Sequence, residues 1–502
     1  MAETPHISRR DLLRQGALGT LALGALSATG GALLAACGSG GTSAARRFSS
    51  PATTAPSDMG EIKWWLEGNY APVTVETTAE ALEVTGTLPS SLTGTYIRNG
   101  SNPLKGTSPH WFLGDGMVHG VRLEAGSASW YRNRWVQTGL YDHGGGLGAA
   151  GAPGGTGTLS NVSVVTHAGR VLSLGEVGLP YEISPTDLST IGPVLDGGGT
   201  NSNMTAHPKI DPATGFMHSF GYGFTDPFLE YRVHDAEGRL VSNEVIPVPR
   251  SVMMHDFAIT SSDVIFMDLP VLFDMKNAIA MVADPASGAV PYRWDPSVGA
   301  RLGVMPLGGR ASQIRWVDID PCYVYHTVNA VRKGDEIALD VCRLDSTFAP
   351  ETVASSSTRH RWTINTAGTH LRVADQRFDV PPADLPTIDP RHRGTGWRHS
   401  WLAELNSRPG EISFSGVQHF DATSGALDRW SPGGARRAGE PLFVPEGTGE
   451  GEGWILSFVY DPSTNRSNLV VLDALNVAKG PVAEVHLPVR VPYGFHASFV
   501  TA

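Results

Sequence analysis

Cysteine is almost missing from this 502-residue chain, which carries only Cys37, Cys322 and Cys342. So few thiols exclude a disulfide-stapled scaffold. Cys322 and Cys342 either pair across a hairpin or remain buried free thiols. A basic excess is also missing: 38 Lys and Arg stand against 49 Asp and Glu, a formal net charge of -11. That balance gives no electrostatic footprint for nucleic acid. There is no P-loop, no H-E-x-x-H and no G-x-S-x-G. Gly146-Leu147-Gly148-Ala149-Ala150-Gly151 fits G-x-G-x-x-G, but it lies in a Gly/Ala/Pro loop with no strand-to-helix context. No nicotinamide or flavin cofactor is expected. Few segments outside the first forty residues sustain a helical period.

What is there begins with an address. Ser8-Arg9-Arg10-Asp11-Leu12-Leu13 resembles a twin-arginine export motif, and an uncharged stretch follows from Gly16 to Ala36. That stretch is long enough for a membrane helix. It ends in Leu34-Ala35-Ala36-Cys37, which looks like a lipoprotein cleavage box. Residues 1–37 are therefore expected to be a twin-arginine lipoprotein signal, with Cys37 lipidated. A plain transmembrane anchor is the alternative. Residues 38–60 are rich in Ser, Thr, Gly, Ala and Pro and read as a flexible tether. The expected location is the cell envelope, lipid-anchored to the outer face of the bacterial cytoplasmic membrane.

Residues 61–502 read as one all-β domain. Short runs of Val, Ile, Tyr, Phe and Trp recur between Gly, Pro, Asp and Asn. Asp211-Pro212-Ala213-Thr214-Gly215, Asp235-Ala236-Glu237-Gly238 and Asp421-Ala422-Thr423-Ser424-Gly425 have hairpin chemistry. Asp starts such a turn through its side chain, and Gly tolerates the positive φ that closes it. The spacing fits a sandwich or a propeller and does not choose between them.

Four of the 17 histidines stand in short strand-like apolar settings. They are His207 in Thr205-Ala206-His207-Pro208-Lys209, His255 in Met253-Met254-His255-Asp256-Phe257, His326 in Tyr323-Val324-Tyr325-His326-Thr327, and His496 in Tyr493-Gly494-Phe495-His496. Neutral imidazole suits iron, zinc, copper or nickel. These residues lie too far apart to share one helix or loop, so only a fold that brings distant strands to a common axis gathers them. A β-propeller does so. His119, His167, His218, His370, His399 and His419 read as structural histidines.

The words around these histidines resemble those of carotenoid cleavage oxygenases, from about Glu61 to the C-terminus. Besides the histidine segments, they include Tyr96-Ile97-Arg98-Asn99-Gly100-Ser101-Asn102-Pro103, His110-Trp111-Phe112-Leu113-Gly114-Asp115-Gly116-Met117-Val118-His119-Gly120 and Tyr131-Arg132-Asn133-Arg134. The resemblance implies a seven-bladed propeller with loops and short helices capping an iron-bearing axial face. It also implies a non-haem Fe(2+) held by His207, His255, His326 and His496. Four neutral imidazoles leave two octahedral positions open, against three in a two-histidine, one-carboxylate triad. Val162, in Asn161-Val162-Ser163, is the candidate to crowd one open position; the alternative is an ordinary strand valine.

The family backs three of its histidines with carboxylates, because a ligating imidazole needs its other nitrogen held. The resemblance points to Glu176, to Glu450 with Glu452 as runner-up, and to Asp384 where the family has glutamate. Aspartate is shorter by about 1.5 Å, so that contact is expected to be water-mediated or the strand displaced. His110-Trp111-Phe112 either borders the substrate entrance or packs the core.

The implied activity is oxidative cleavage of one C=C bond of a carotenoid or apocarotenoid by O2, giving two carbonyl products. The implied partners are a hydrophobic polyene and the membrane surface. Two alternatives stand: the same chemistry on stilbene-type phenylpropanoids, and a non-catalytic propeller lipoprotein that binds an apolar ligand.

Overall fold

Turns form where the sequence places Asp and Gly. Asp211 Oδ1 accepts a hydrogen bond from Ala213 N at 3.0 Å, and Gly215 takes φ 72°. The turn joins strands Lys209–Ile210 and Met217–Tyr222, in antiparallel register Lys209↔His218. A computed structural model describes residues 63–147, 157–195, 203–284, 288–349, 356–406 and 413–501. The export segment, Cys37, the tether and residues 148–151 of the glycine motif lie outside the described residues.

Repetition of this hairpin unit builds seven antiparallel blades among the described residues. Blade one contains Gly94–Ser101, Gly116–Glu124 and Ser127–Trp135, flanked by Thr78–Glu80 on one edge and Ala497–Thr501 on the other. Blade two runs from Ser163–His167 to Thr190–Pro193, and blade three from Lys209–Ile210 to Leu240–Val245. Blade four runs from Ala258–Ile259 to Arg315–Ile319, and blade five from Tyr323–Lys333 to Arg372–Arg377. A ten-stranded sheet supplies the last two. Blade six starts with Ala383–Ile388; blade seven starts around Leu442–Pro445 and ends at Pro481–His486.

Both chain ends close the ring. Val84–Gly86 pairs with Pro481–His486 in blade seven, with Val84 opposite Val485. Ala497–Thr501 pairs with Gly94–Ser101 in blade one, with Ala497 opposite Arg98. The leading strands also pack on one another around the axis: Ala258–Ile259 on Tyr323–Lys333, then Ala383–Ile388, Leu442–Pro445, Ala497–Thr501 and Ser163–His167 in turn. Between blades three, four and five the core is aromatic, with Phe220, Tyr231, Phe257, Phe266 and Trp362 at most 1% exposed. Each such side chain contributes roughly 1.5–3 kcal/mol on burial.

Blade four carries an insertion between Val271–Phe273 and Tyr292–Trp294. It is the helix Met275–Ala283, N-capped by Asp274, whose side chain accepts from Asn277 N. Its Ala278 and Met281 turn inward. Cys322 and Cys342 are both buried and free. The register sets Cys342 opposite His326 and Tyr323 opposite Leu344, so the two thiols do not face each other.

Candidate metal centre

The four histidine motifs place their residues where leading strands begin or bend. His207 precedes Lys209–Ile210, and His255 precedes Ala258–Ile259. His326 lies within Tyr323–Lys333, where the register shifts between Val324 and His326. His496 immediately precedes Ala497–Thr501. The chain thus supplies them from blades three, four, five and one.

Their imidazoles converge, with one ligand atom from each lying within 4.8 Å of all the others. His207 Nε2 is 2.9 Å from His255 Nε2, and His326 Nε2 is 3.1 Å from His496 Nε2. Among the described residues no other group of three or more His, Cys, Asp or Glu converges in this way.

Carboxylates from the remaining three blades hold three of the outer nitrogens. His255 Nδ1 meets Glu176 Oε2 at 2.7 Å, and Tyr222 Oη donates to Glu176 Oε1 at 3.1 Å. His326 Nδ1 meets Asp384 Oδ1 at 2.6 Å. His496 Nδ1 meets Glu440 Oε1 at 2.6 Å, and Ala497 N donates to Glu440 Oε2 at 2.7 Å. With the acceptor on Nδ1, each of these rings keeps its proton there and turns an Nε2 lone pair inward. Each of the seven blades therefore contributes one residue, four imidazoles and three carboxylates. No carboxylate bonds His207 among the described residues.

One expectation is corrected. Glu450 does not back a histidine; its Oε1 accepts from Arg398 N and His399 N. The runner-up Glu452 accepts from Gly449 N. Strand Leu442–Pro445 separates Glu440 from Glu450. A strand of that length spans about 13 Å, so only one of the two reaches the axis. The resemblance points to Glu450 and Glu452, in the acidic run Glu450-Gly451-Glu452-Gly453-Trp454, and passes over Glu440. Its own cue was slight: a carboxylate in an otherwise apolar run, Ala438-Gly439-Glu440-Pro441-Leu442-Phe443.

Of the two alternatives for Asp384, the displaced strand is the one observed, and its contact with His326 is direct and short. Asp384 pairs with Ala403 while Thr387 pairs with Trp401, so one extra residue bulges from the strand. Leu385 absorbs it at φ 52°. The bulge re-aims the strand and offsets the missing methylene. Asp384 Oδ1 also accepts from Leu385 N at 2.8 Å.

Burial and charge set the protonation of the rings. Burial holds His207 well below the usual histidine range, and the neighbouring imidazoles add to that. His326 is lowered by burial, partly offset by Asp384. Burial opposes charge on His255 too, but Glu176, with Asp256 and Asp384 beside it, outweighs the burial and leaves that ring above its ordinary value. Neutral rings are the metal-binding form, so protons compete for His255 more readily than for His207 or His326 as pH falls.

Beside the cage lies a cavity of about 620 Å³, bordered by His255, His326, His496 and Val162. Trp111, Phe112, Tyr325, Phe348 and Phe495 form much of its aromatic wall, and Met275–Ala283 lines one side. His110 and Phe112 border the cavity, while Trp111 borders it and also packs in a core cluster. Val162 is 8% exposed, and its carbonyl accepts from His496 N at 3.0 Å. That bond fixes the valine beside the cage.

Four inward nitrogen donors with no inward carboxylate fit a divalent transition metal. Comparison with known proteins selects among metals and activities. The family model described as retinal pigment epithelial membrane protein matches residues 70–501. A carotenoid cleavage oxygenase of Mycobacterium tuberculosis is 35% identical, covering 87% of this chain and 97% of its own. Among solved structures, the lignostilbene dioxygenase of Pseudomonas brassicacearum is similar at TM-score 0.79 and 28% identity, covering 87% of this chain and 98% of that one. Cobalt-substituted apocarotenoid oxygenase of Synechocystis is similar at TM-score 0.77 and 25% identity, with the same coverage. The metal is iron and the protein is an oxidoreductase: the chain belongs to the carotenoid cleavage oxygenase family.

Proposed function

We propose that the protein splits one C=C bond of a carotenoid or apocarotenoid with O2, releasing two carbonyl products. The observation that carries this reading is the junction of the four-histidine cage with a largely aromatic and aliphatic cavity. Among the described residues that border the cavity there is no Lys or Arg. A long apolar polyene needs no counter-charge there, whereas a phenolate or carboxylate substrate would. The likeness to the carotenoid cleavage oxygenase of Mycobacterium and the apocarotenoid oxygenase of Synechocystis supports the same substrate class.

Bound iron supplies the activation of O2. The chain's own residues do the rest. Glu176, Asp384 and Glu440 keep three rings oriented with protons on Nδ1. The cavity wall excludes water and sets one double bond beside the cage. Val162, held by its bond to His496, crowds one side of the cage and leaves the other for O2.

The test is a product mass spectrum from iron-loaded protein given carotenoids, apocarotenoids and hydroxystilbenes under O2. Two carbonyl fragments whose masses sum to polyene plus O2 are expected. Cleavage of stilbenes alone would transfer the same chemistry to phenylpropanoids, in line with the likeness to lignostilbene dioxygenase. Tight polyene binding with iron present and no O2 uptake would make the protein a carrier.

We further propose that twin-arginine export and lipidation at Cys37 hold the enzyme at the outer face of the cytoplasmic membrane, where apolar polyenes dissolve. Each buried acyl CH₂ contributes about 0.8 kcal/mol, and two chains anchor where one binds only reversibly. Fractionation should find native protein in salt-washed membranes, Cys37→Ser protein impaired in lipidation, and Arg9→Lys/Arg10→Lys protein retained inside. Native protein in the soluble cytoplasm would end this part of the reading without touching the chemistry.

A further inference from the structure

Behind the cage lies a second polar cluster that takes no part in the contacts described so far. Asp256 follows His255 directly and is 1% exposed. Its Oδ1 meets Lys209 Nζ at 2.6 Å and accepts from Phe257 N at 2.7 Å. Its Oδ2 accepts from both Thr327 N and Thr327 Oγ1 at 2.8 Å. Lys209 is two residues from His207, and Thr327 follows His326. One buried carboxylate therefore ties together three of the four segments that carry cage histidines, from blades three, four and five. A weaker link runs alongside, since Thr205 Oγ1 donates to the His255 carbonyl at 3.3 Å and accepts from His207 N at 3.0 Å.

We propose that Asp256 is a positioning residue that assembles the metal cage before the metal arrives. The chemistry of its partners supports this. Both oxygens face N–H or O–H donors, and the ammonium of Lys209 is compensated by this carboxylate. Arg393, half-buried, adds positive charge nearby. An amide in the same place would turn its NH₂ toward a donor on one side or the other, leaving a buried group unsatisfied. His207 depends on this cluster most, because no carboxylate holds its ring among the described residues. The inference rests on the four histidines binding the metal. Failure of the wild-type protein to bind Co(II) or Fe(II) would count against that reading and not against Asp256.

The experiment compares full-length wild type, Asp256→Asn, Lys209→Met and the double variant Asp256→Ala/Lys209→Met. Each apo-protein is melted, then titrated anaerobically with Co(II) against a competing chelator, and the Co(II) absorption band is recorded. Asp256→Asn should bind Co(II) about 10–100-fold more weakly, as for other outer groups that orient metal ligands, and should melt earlier. The double variant removes the uncompensated charge, so its melting temperature should recover while its affinity stays at least about tenfold low. Lys209→Met, which keeps Asp256 on Thr327, should lose a few-fold in affinity and shift the Co(II) band. Recovery of affinity together with stability in the double variant would show a purely structural role and overturn the proposal. If the Asp256 variants do not fold, wild-type affinity and an unchanged band in Lys209→Met overturn it equally.

Discussion

Replacing His255 with Ala should strip most of the iron and abolish measurable cleavage. The cage has four donors, and His255 lies 2.9 Å from His207 Nε2 and is held by Glu176 on its other nitrogen. Removing the ring deletes one donor and leaves the Glu176 oxygen without its imidazole partner beside the cavity. The same result is expected at His207, His326 and His496, whose nitrogens share the same 4.8 Å cluster. Iron content by metal analysis and product yield from a polyene read the two effects separately. A His255→Ala protein with full iron and full turnover would remove that residue from the centre.

The second large effect separates two glutamates ten residues apart. Glu440→Gln should weaken iron binding or turnover by about 10–100-fold, while Glu450→Gln should leave iron content near wild type. Glu440 accepts from His496 Nδ1 with one oxygen and from Ala497 N with the other. An amide cannot accept at both ends, so either the ring or the strand that follows it is released. Glu450 caps two backbone N–H groups at Arg398 and His399, far along the chain from any cage ligand. Chelator competition on the two apo-proteins is the measurement. Asp384→Asn should resemble Glu440→Gln, because its contact with His326 is 2.6 Å and unmediated. Equal iron loss from Glu440→Gln and Glu450→Gln would contradict the assignment.

The histidine cage was legible in the sequence because each member sits in its own short apolar word, and the words survive separately. Blade number was not. Two strands that close the ring, Val84–Gly86 and Ala497–Thr501, come from opposite ends of the chain and pair far from their sequence neighbours. Hairpin spacing carries no trace of such pairing. The carboxylates were legible only in part for a related reason. Glu176 lies just beyond strand Arg170–Leu174, where a motif finds it. Glu440 is defined by which end of Leu442–Pro445 faces the axis, a property of the sheet rather than of the local letters. Asp384 reaches His326 through a bulge with Leu385 at φ 52°, and no residue type announced it, since Leu is disfavoured there. Substitution of a shorter acid was visible, and a displaced strand was one of its two expected consequences; where the bulge falls was not.

The central claim is that one iron sits among these four imidazoles, and anomalous scattering at the iron absorption edge tests it most directly. Crystals of the iron-loaded protein should show a single strong anomalous peak within coordination distance of the Nε2 atoms of His207, His255, His326 and His496. It should stand beside the cavity bordered by Val162 and Phe495. A peak at any other residues, or fully loaded protein with no peak inside the cage, would contradict the account.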